Sequence, residues 1–326
     1  MTKTEKIDEV DAKILKDLLC DGRKEFIEIA REAKVSKDVI WQHYANLKKK
    51  GVIVGSTIQL DYRSLGYDSA ASFFVDVPTQ EQTDVASKMK KIPGLYDVYR
   101  WGSHSRLWAV SDFMKADQVD QVKLLIKRIP SVVRLQVEIW TNSRRMPENL
   151  SVLNELYDNS RESTAKGFNS PKRDIINNNI DRQLIEKLKA NSRASFNELG
   201  KELGISTSTV IRRYSSLNSR GIIRALIQIN PLRIGYFSTA CFRLTISSEA
   251  NMATVSDDIC KIPDITGVIR TIGVYDLTIF AEVKSLEHLF KVEAEIASVH
   301  GIREMDTVAL NQFPVLPYPG EHMSTF

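Results

Sequence analysis

The sequence predicts an α+β protein in one particular form: two winged-type helix-turn-helix domains, each followed by a ferredoxin-like βαββαβ sandwich. Three observations lead there. Apolar residues recur at helical spacing through three short segments near the start of the chain. Alternating, strand-like runs and two further helical segments follow them. The whole arrangement then occurs a second time after a polar stretch, so the unit is a repeat.

In chain order, Ile7, Val10, Ile14, Leu15 and Leu18 form the first helical stripe, with acids early in the segment where a helix dipole favours them. Gly22 and Arg23 break that helix. Phe26, Ile29, Ala30 and Ala33 give a second one that ends before Val35. A third begins at Ser36, buries Ile40, Tyr44 and Leu47, passes through Lys48, Lys49 and Lys50, and stops at Gly51. A tight connection before the last of three short helices is what a helix-turn-helix needs to hold that helix clear of the core.

The second half repeats this without a gap. Asp181, Leu184, Ile185 and Leu188 echo the first helix, and Arg193 and Phe196 echo Arg23 and Phe26. Ser206, Tyr214, Leu217, Gly221 and Ile223 echo Ser36, Tyr44, Leu47, Gly51 and Ile53. Ser195 and Glu198 form a capping box for the middle helix that the first copy lacks. Beyond the helices, Ile58-Gln59-Leu60 is matched by Ile227-Gln228-Ile229, and Leu65-Gly66-Tyr67 by Ile234-Gly235-Tyr236. Phe73, Val75 and Val77 then alternate like a strand, as do Phe242, Leu244 and Ile246. A helix ending in Lys-Ile-Pro follows in both halves, at Lys91 and at Lys261. Further strands are expected near Leu95–Trp101, Leu107–Ser111 and Val132–Trp140, with a helix near Asp117–Arg128. Their counterparts are Ile265–Thr271, Asp276–Val283 and Ile302–Leu310, with a helix near Ser285–Val299.

The domain boundaries read from this are a first helix-turn-helix over 1–54, a first sandwich over 55–145, and a polar linker over 146–175. A second helix-turn-helix over 176–225, a second sandwich over 226–316 and a tail over 317–326 complete the chain. Within the linker, Leu150, Val152, Leu153, Leu156 and Tyr157 suit one short helix, and the remainder reads as a tether. The Pro-rich end, Phe313–Phe326, is expected to lie over a neighbouring surface or to be disordered.

Composition bounds the function. The 326 residues carry a formal net charge of only +4, so a nucleic-acid surface must be local. Cys20, Cys241 and Cys260 are widely spaced and are expected to be buried thiols in a reducing compartment. MTKTEKIDEV lacks the apolar core of a signal peptide and no uncharged run spans a bilayer, so a cytoplasmic protein with no membrane partner is expected. His43, His104, His288, His300 and His322 show no metal spacing, and neither a phosphate-cradling loop nor a nucleophile motif appears. No cofactor and no metal are therefore expected. Trp41, Trp101, Trp108 and Trp140 read as core or interface residues.

The segment ISTSTVIRRYSSLNSRGII, Ile205 to Ile223, carries the clearest chemistry. Val210, Tyr214 and Leu217 face inward, leaving Ser208, Arg212, Ser216 and Ser219 outward. Ser206 sits at the N-cap, and the small Thr207 and Ser208 let the free amides of the first turn approach a phosphate. Arg212 and Arg213 lie one turn further in, where base edges or backbone come within reach, and Arg220 flanks them. The partner implied is double-stranded DNA. In the first copy Ser36 repeats the cap, Lys37, Lys48, Lys49 and Lys50 suit phosphates, and Asp38, Gln42 and His43 replace Ser208, Arg212 and Arg213. Gln42 can read adenine, but an acid on that face repels the duplex, so the first head is expected to bind more weakly or with different specificity. An asymmetric operator follows from unlike heads.

Both halves resemble the Lrp/AsnC (feast/famine) family of transcriptional regulators. The resemblance rests on ID-x-x-D-x-x-I-L at Ile7–Leu15, Asn179–Ile185, Asp21-Gly22-Arg23 and the Gly-Ile-Ile at Gly221–Ile223, and it covers nearly everything outside the linker. It implies that the sandwiches are ligand-sensing, RAM-like domains that pair through their sheets, which makes self-association, or one internal pair, the expected partner. It also implies an effector such as an amino acid near the loop Gly273-Val274-Tyr275-Asp276. Gly273, Tyr275 and Asp276, with Gly102, His104 and Arg106 in the first half, are the candidate effector residues. An acid at Asp276 suits an amino group and Arg106 a carboxylate or phosphate, while both residues equally suit the capping of a β-turn. The chain is thus expected to be a non-enzymatic, sequence-specific DNA-binding regulator. Two alternatives stay open: an enzyme like the siroheme decarboxylases, built from related units, using Tyr99, Arg100, His104 and Arg106, and an architectural DNA binder without a ligand.

Overall fold

A computed structural model describes residues 4–102, 105–157, 175–176 and 178–318. The first head is built from α1 (Glu9–Cys20), α2 (Phe26–Ala33) and α3 (Lys37–Lys49), followed by β1 (Ile53–Leu60). The first sandwich follows as β2 (Ser69–Asp76), α4 (Gln82–Met89), β3 (Leu95–Arg100), β4 (Arg106–Phe113), α5 (Ala116–Lys127) and β5 (Arg134–Arg145). After α6 (Ser151–Leu156), the second head has α7 (Asn179–Ala190), α8 (Phe196–Leu203), α9 (Thr207–Ser219) and β6 (Ile223–Ile229). The second sandwich is β7 (Ser238–Ile246), α10 (Met252–Lys261), β8 (Ile265–Ile272), β9 (Leu277–Val283), α11 (Leu286–Ala297) and β10 (Ile302–Asn311).

Local chemistry fixes the helix ends. Asp8 and Asp11 form a capping box on α1, Ser195 and Glu198 form the expected box on α8, and α2 starts at Glu25 with no side-chain cap. The turn that closes the middle helix needs a left-handed residue in both heads. Gly204 supplies it after α8 with φ 65°, whereas Lys34 adopts φ 56° after α2, a conformation that costs an L side chain on the order of 1 kcal/mol.

The two sandwiches fuse into one eight-stranded sheet of order β10-β7-β9-β8-β5-β2-β4-β3. The seam is an antiparallel pair of β5 and β8 that aligns Ile139 with Ile272 and Arg145 with Gly267. Strands next to the seam are buried on both faces, which is why β9 reads as a run and not as an alternation. In β2, Ala71, Phe73 and Val75 meet the helices α4 and α5, while Ala70 and Phe74 join a separate cluster. That cluster holds Trp101, Trp108 and Trp140 against Cys241, Ile269, Phe280, Val308 and Leu310 of the second sandwich, so the internal pairing is confirmed. At its centre Arg243 pairs with Glu138, both almost wholly buried, with the Arg243 guanidinium 4.4 Å from the Phe74 ring and 4.0 Å from that of Tyr275.

Below the sandwiches, β1 and β6 form an antiparallel two-stranded ribbon, and through it the halves trade core residues. Ile227 and Ile229 of β6 enter the core of the first head; Ile58 and Leu60 of β1 enter the core of the second. The sequence boundaries at 54 and 225 therefore cut through shared cores. The expected polar linker is also corrected at its start: Met146, Glu148, Leu150 and Leu153 are buried, and α6 packs on α1. Its amphipathic pattern is followed here by burial because Asp264 accepts from the backbone and hydroxyl of Ser151, both at 2.7 Å. The rest of the expected tether, 158–174, lies outside the described residues, as does 319–326 of the tail. The start of the tail is held: Leu316 is buried and bridges to Ile229, and Gln228 donates to the Pro317 carbonyl. Cys241 is buried and Cys260 half-buried, but Cys20 is exposed, correcting the expectation of three buried thiols.

Two stability predictions follow from these environments. Lys34→Gly should raise the denaturant midpoint, by about 0.5–1 kcal/mol in free energy, because it removes the left-handed penalty; an unchanged or lower midpoint would count against that account. Glu282 is buried with hydrogen bonds from Gln312, Thr239 and Thr266, and burial pushes its carboxyl up to about 7. A raised folded-state value means that its contribution is fully present below the unfolded range near 4.5 and is lost as pH rises through about 7. Thermal melts of wild type and Glu282→Gln across that window should therefore converge at low pH and diverge toward neutrality in favour of the variant, by up to about 3 kcal/mol.

Candidate nucleic-acid interface

In the second head, the Ser206 hydroxyl accepts from the Thr209 amide at 3.2 Å and lies 2.8–3.0 Å from the hydroxyls of Thr209 and Ser208. Val210, Tyr214 and Leu217 are buried, as the stripe requires. Ser206, Ser208 and Arg212 are exposed, Thr207 is half-buried, and Arg220 is half-buried at the C-cap. Small hydroxyl side chains thus surround the first turn, with Arg212 one turn further in, a geometry that suits a phosphate at the remaining amides. In the first head Ser36 caps α3 through the Val39 amide, and Lys37, Asp38, Gln42, Lys48 and Lys49 are all exposed.

Arg213 and His43, both candidate DNA contacts, are held by carboxylates inside the protein. Arg213 bonds through Nη1 to the Asp181 carboxylate at 2.8 Å, and His43 lies with Nδ1 2.8 Å from Asp11 Oδ1. The pairs occupy equivalent places and brace each recognition helix against the first helix of its head. The stripe itself explains this: Arg213 and His43 stand beside the inward Tyr214 and Tyr44, so their side chains fall on the flank and not on the presented face. Asp8 also approaches His43, at 3.7 Å, and Asp8, Asp11 and His43 are close enough together to hold a metal ion. In this structure the first two are engaged in the capping box of α1 and the third in the brace.

Sequence reasoning placed Trp41 in the core or an interface, but its side chain is 58% exposed on the presented side of α3. Ile211, its counterpart on α9, is 44% exposed. The size and apolar character of Trp41 point inward, whereas the repeat alignment, which puts an apolar side chain beside Gln42 and Arg212 alike, points to the presented side.

The candidate sensing residues meet only in part. A cavity of about 500 Å³ opens between the sandwiches, lined by Asp76, Trp101, Ser105 and Arg106 from the first and Asp306 from the second, with Val77 and Val133 as apolar wall. Arg106 forks onto Asp76 through Nε at 2.5 Å and Nη2 at 3.2 Å, and that bond raises its affinity for its proton. Tyr275 reaches toward the cavity by donating to Asp306 at 3.4 Å, and Gly273 lies against Glu138 of the other sandwich. Asp276 is committed elsewhere: its carboxylate accepts from the Ile246 amide at 2.8 Å and its carbonyl from Thr271, so it caps the turn. Gly102 sits at the hairpin with φ 60°, and His104 lies outside the described residues. Of the alternative acid-base cluster, Tyr99 packs on Trp108 and Phe313, Arg100 lies 3.5 Å from Thr83, and Arg106 holds Asp76.

Residues 7–54 match a winged helix-turn-helix DNA-binding model and residues 178–218 an AsnC-type helix-turn-helix domain. The chain is 35% identical over 117 residues to the HTH-type transcriptional regulator Ptr1 of Methanocaldococcus jannaschii, covering 36% of this chain and 78% of that one. It is 31% identical over 130 residues to the HTH-type transcriptional regulator FL11 of Pyrococcus abyssi, covering 40% and 85%. Among solved structures the siroheme decarboxylase NirDL matches 98% of this chain and 94% of its own with a TM-score of 0.64 at 17% identity, a likeness of fold. No helix among the described residues is long and apolar enough to cross a membrane.

The brace carries a prediction. In a urea-denaturation double-mutant cycle, Arg213→Ala and Asp181→Ala should show a coupling of about 1–2 kcal/mol; additivity would mean that the pair contributes nothing.

Proposed function

The chain belongs to the Lrp/AsnC family of helix-turn-helix transcriptional regulators and is a sequence-specific DNA-binding protein, and from that premise we propose that its two heads read an operator with unlike half-sites. The observation that carries this is Arg212. It is exposed one turn beyond a capped, amide-rich helix start, and its neighbour Arg213 is held aside by Asp181. In the second head Ser206, Thr207 and Ser208 take a phosphate, Arg212 reaches a base edge or the backbone, and Arg220 flanks. In the first head Lys37, Lys48 and Lys49 meet phosphates and Gln42 reads the groove beside Asp38, which weakens that head.

We place the effector, a small zwitterion such as an amino acid, in the cavity between the sandwiches, with Asp306 for the ammonium group and the Val77 and Val133 wall for an apolar side chain. Among the described lining residues the one guanidinium, Arg106, is forked onto Asp76, so the cavity suits a ligand with a single carboxylate better than a substrate rich in them. That favours the regulator over a decarboxylase, in line with relatives named as transcriptional regulators. Such work suits the cytoplasm.

Mobility shifts on a duplex from the region upstream of its own gene, at fixed salt, test the reading. Arg212→Ala should weaken the complex about tenfold or more, Gln42→Ala less, and wild-type affinity should fall steeply as salt rises. An Arg212→Ala protein that binds like wild type would remove the assignment.

A further inference from the structure

The heads touch through more than the β1–β6 ribbon. Arg23, in the turn after α1, reaches across to the second head: Nη2 donates to the Ala194 carbonyl at 2.7 Å, and the guanidinium lies 4.0 Å from the Phe196 ring and 5.0 Å from that of Tyr214. Arg193, in the matching turn of the second head, does the converse. Its Nη1 donates to the Gly22 carbonyl, and its guanidinium lies 5.1 Å from Phe26 and 5.3 Å from Tyr44. Each arginine therefore covers an aromatic pair of the opposite head, and one ring of each pair, Tyr44 or Tyr214, belongs to a recognition helix.

The surroundings hold this exchange in one geometry. Burial lowers the proton affinity of Arg23, and Arg193 lowers it further, so the two cations are close and are tolerated because the rings face them. Gly22 donates to the Ala225 carbonyl, and any side chain there would meet the Leu226 backbone at 2.6 Å. On the other side Ser192 donates to the Leu226 carbonyl and Ser56 to Asn191. A two-stranded ribbon alone twists readily. A planar cation pressed from each head onto the other's reading helix removes that freedom.

We propose that Arg23 and Arg193 form a reciprocal clasp that fixes the separation and rotational phase of the two half-sites; this rests on the heads being readers of duplex DNA. They are positioning residues, acting through Tyr44 and Tyr214 and touching no base. Lysine cannot replace them fully, since an ammonium lacks the flat face that covers two rings.

The full-length chain tests this in two ways. First, binding is measured to operators in which the half-site separation is varied in single base pairs across a helical turn of about 10.5 base pairs. Wild type should favour one separation by about tenfold or more over a shift of half a turn, whereas R23A/R193A should discriminate less than about threefold, with R23K/R193K between. Affinity for an isolated half-site should not change, which separates positioning from a general loss of fold. Second, nitroxides attached through azido side chains introduced at Lys49 and Ser219, both exposed, report the distance between recognition helices in free protein. A single narrow distribution in wild type that broadens in R23A/R193A supports the clasp. An unchanged distribution, or an unchanged separation preference in the double variant, overturns it. A wild-type chain that binds no duplex refutes the regulator reading and with it the half-site role, while the distance measurement still judges the clasp itself.

Discussion

Neither head can complete its core from its own half of the chain. The ribbon of β1 and β6 carries Ile58 and Leu60 one way and Ile227 and Ile229 the other, and all four are fully buried. Burying each such side chain is worth about 1.5–3 kcal/mol, so a head deprived of the other half would expose several of them at once. The eight-stranded sheet above, the docking of α6 on α1 and the bridge from Leu316 to Ile229 all follow from having the two halves in this relation.

Charge is used differently at the two levels. Between the sandwiches, Arg243 and Glu138 are paired out of water, with Asp306 3.9 Å from the arginine at the edge of the cavity. A buried pair of this sort gives little net stability but penalises any other register of the halves, since a slip would leave either charge alone. In the heads, cations are sorted by neighbour: Arg213 is spent on Asp181, and Arg212, one residue earlier, remains exposed. The first head does the same with His43 and Asp11 but presents Gln42, so two near-identical frameworks offer different surfaces.

Much of this was legible from sequence. The stripes of Val210, Tyr214 and Leu217, and of Ile40, Tyr44 and Leu47, together with the serine caps, gave the heads, and the repeat gave the sandwiches. The exchange of β1 and β6 was not legible, because Ile58-Gln59-Leu60 has the same pattern whether it completes its own head or the other one. Arg213 reads as a DNA contact until its internal acceptor, Asp181, is seen, and Asp276, which suits a ligand and a turn cap equally in the sequence, serves here as the turn cap. The start of the linker looked polar because Glu148, Asn149 and Ser151 are polar, yet Leu150 and Leu153 between and beyond them decide its place.

The β5–β8 seam has a consequence for how the protein responds to its own abundance. Two separate subunits must first find one another, so their paired form vanishes on dilution. Here both partners come from a single polypeptide, and each faces the other at a local concentration that does not depend on how many copies a cell makes. Formation of this pair should then add no concentration threshold of its own to the occupancy of a target.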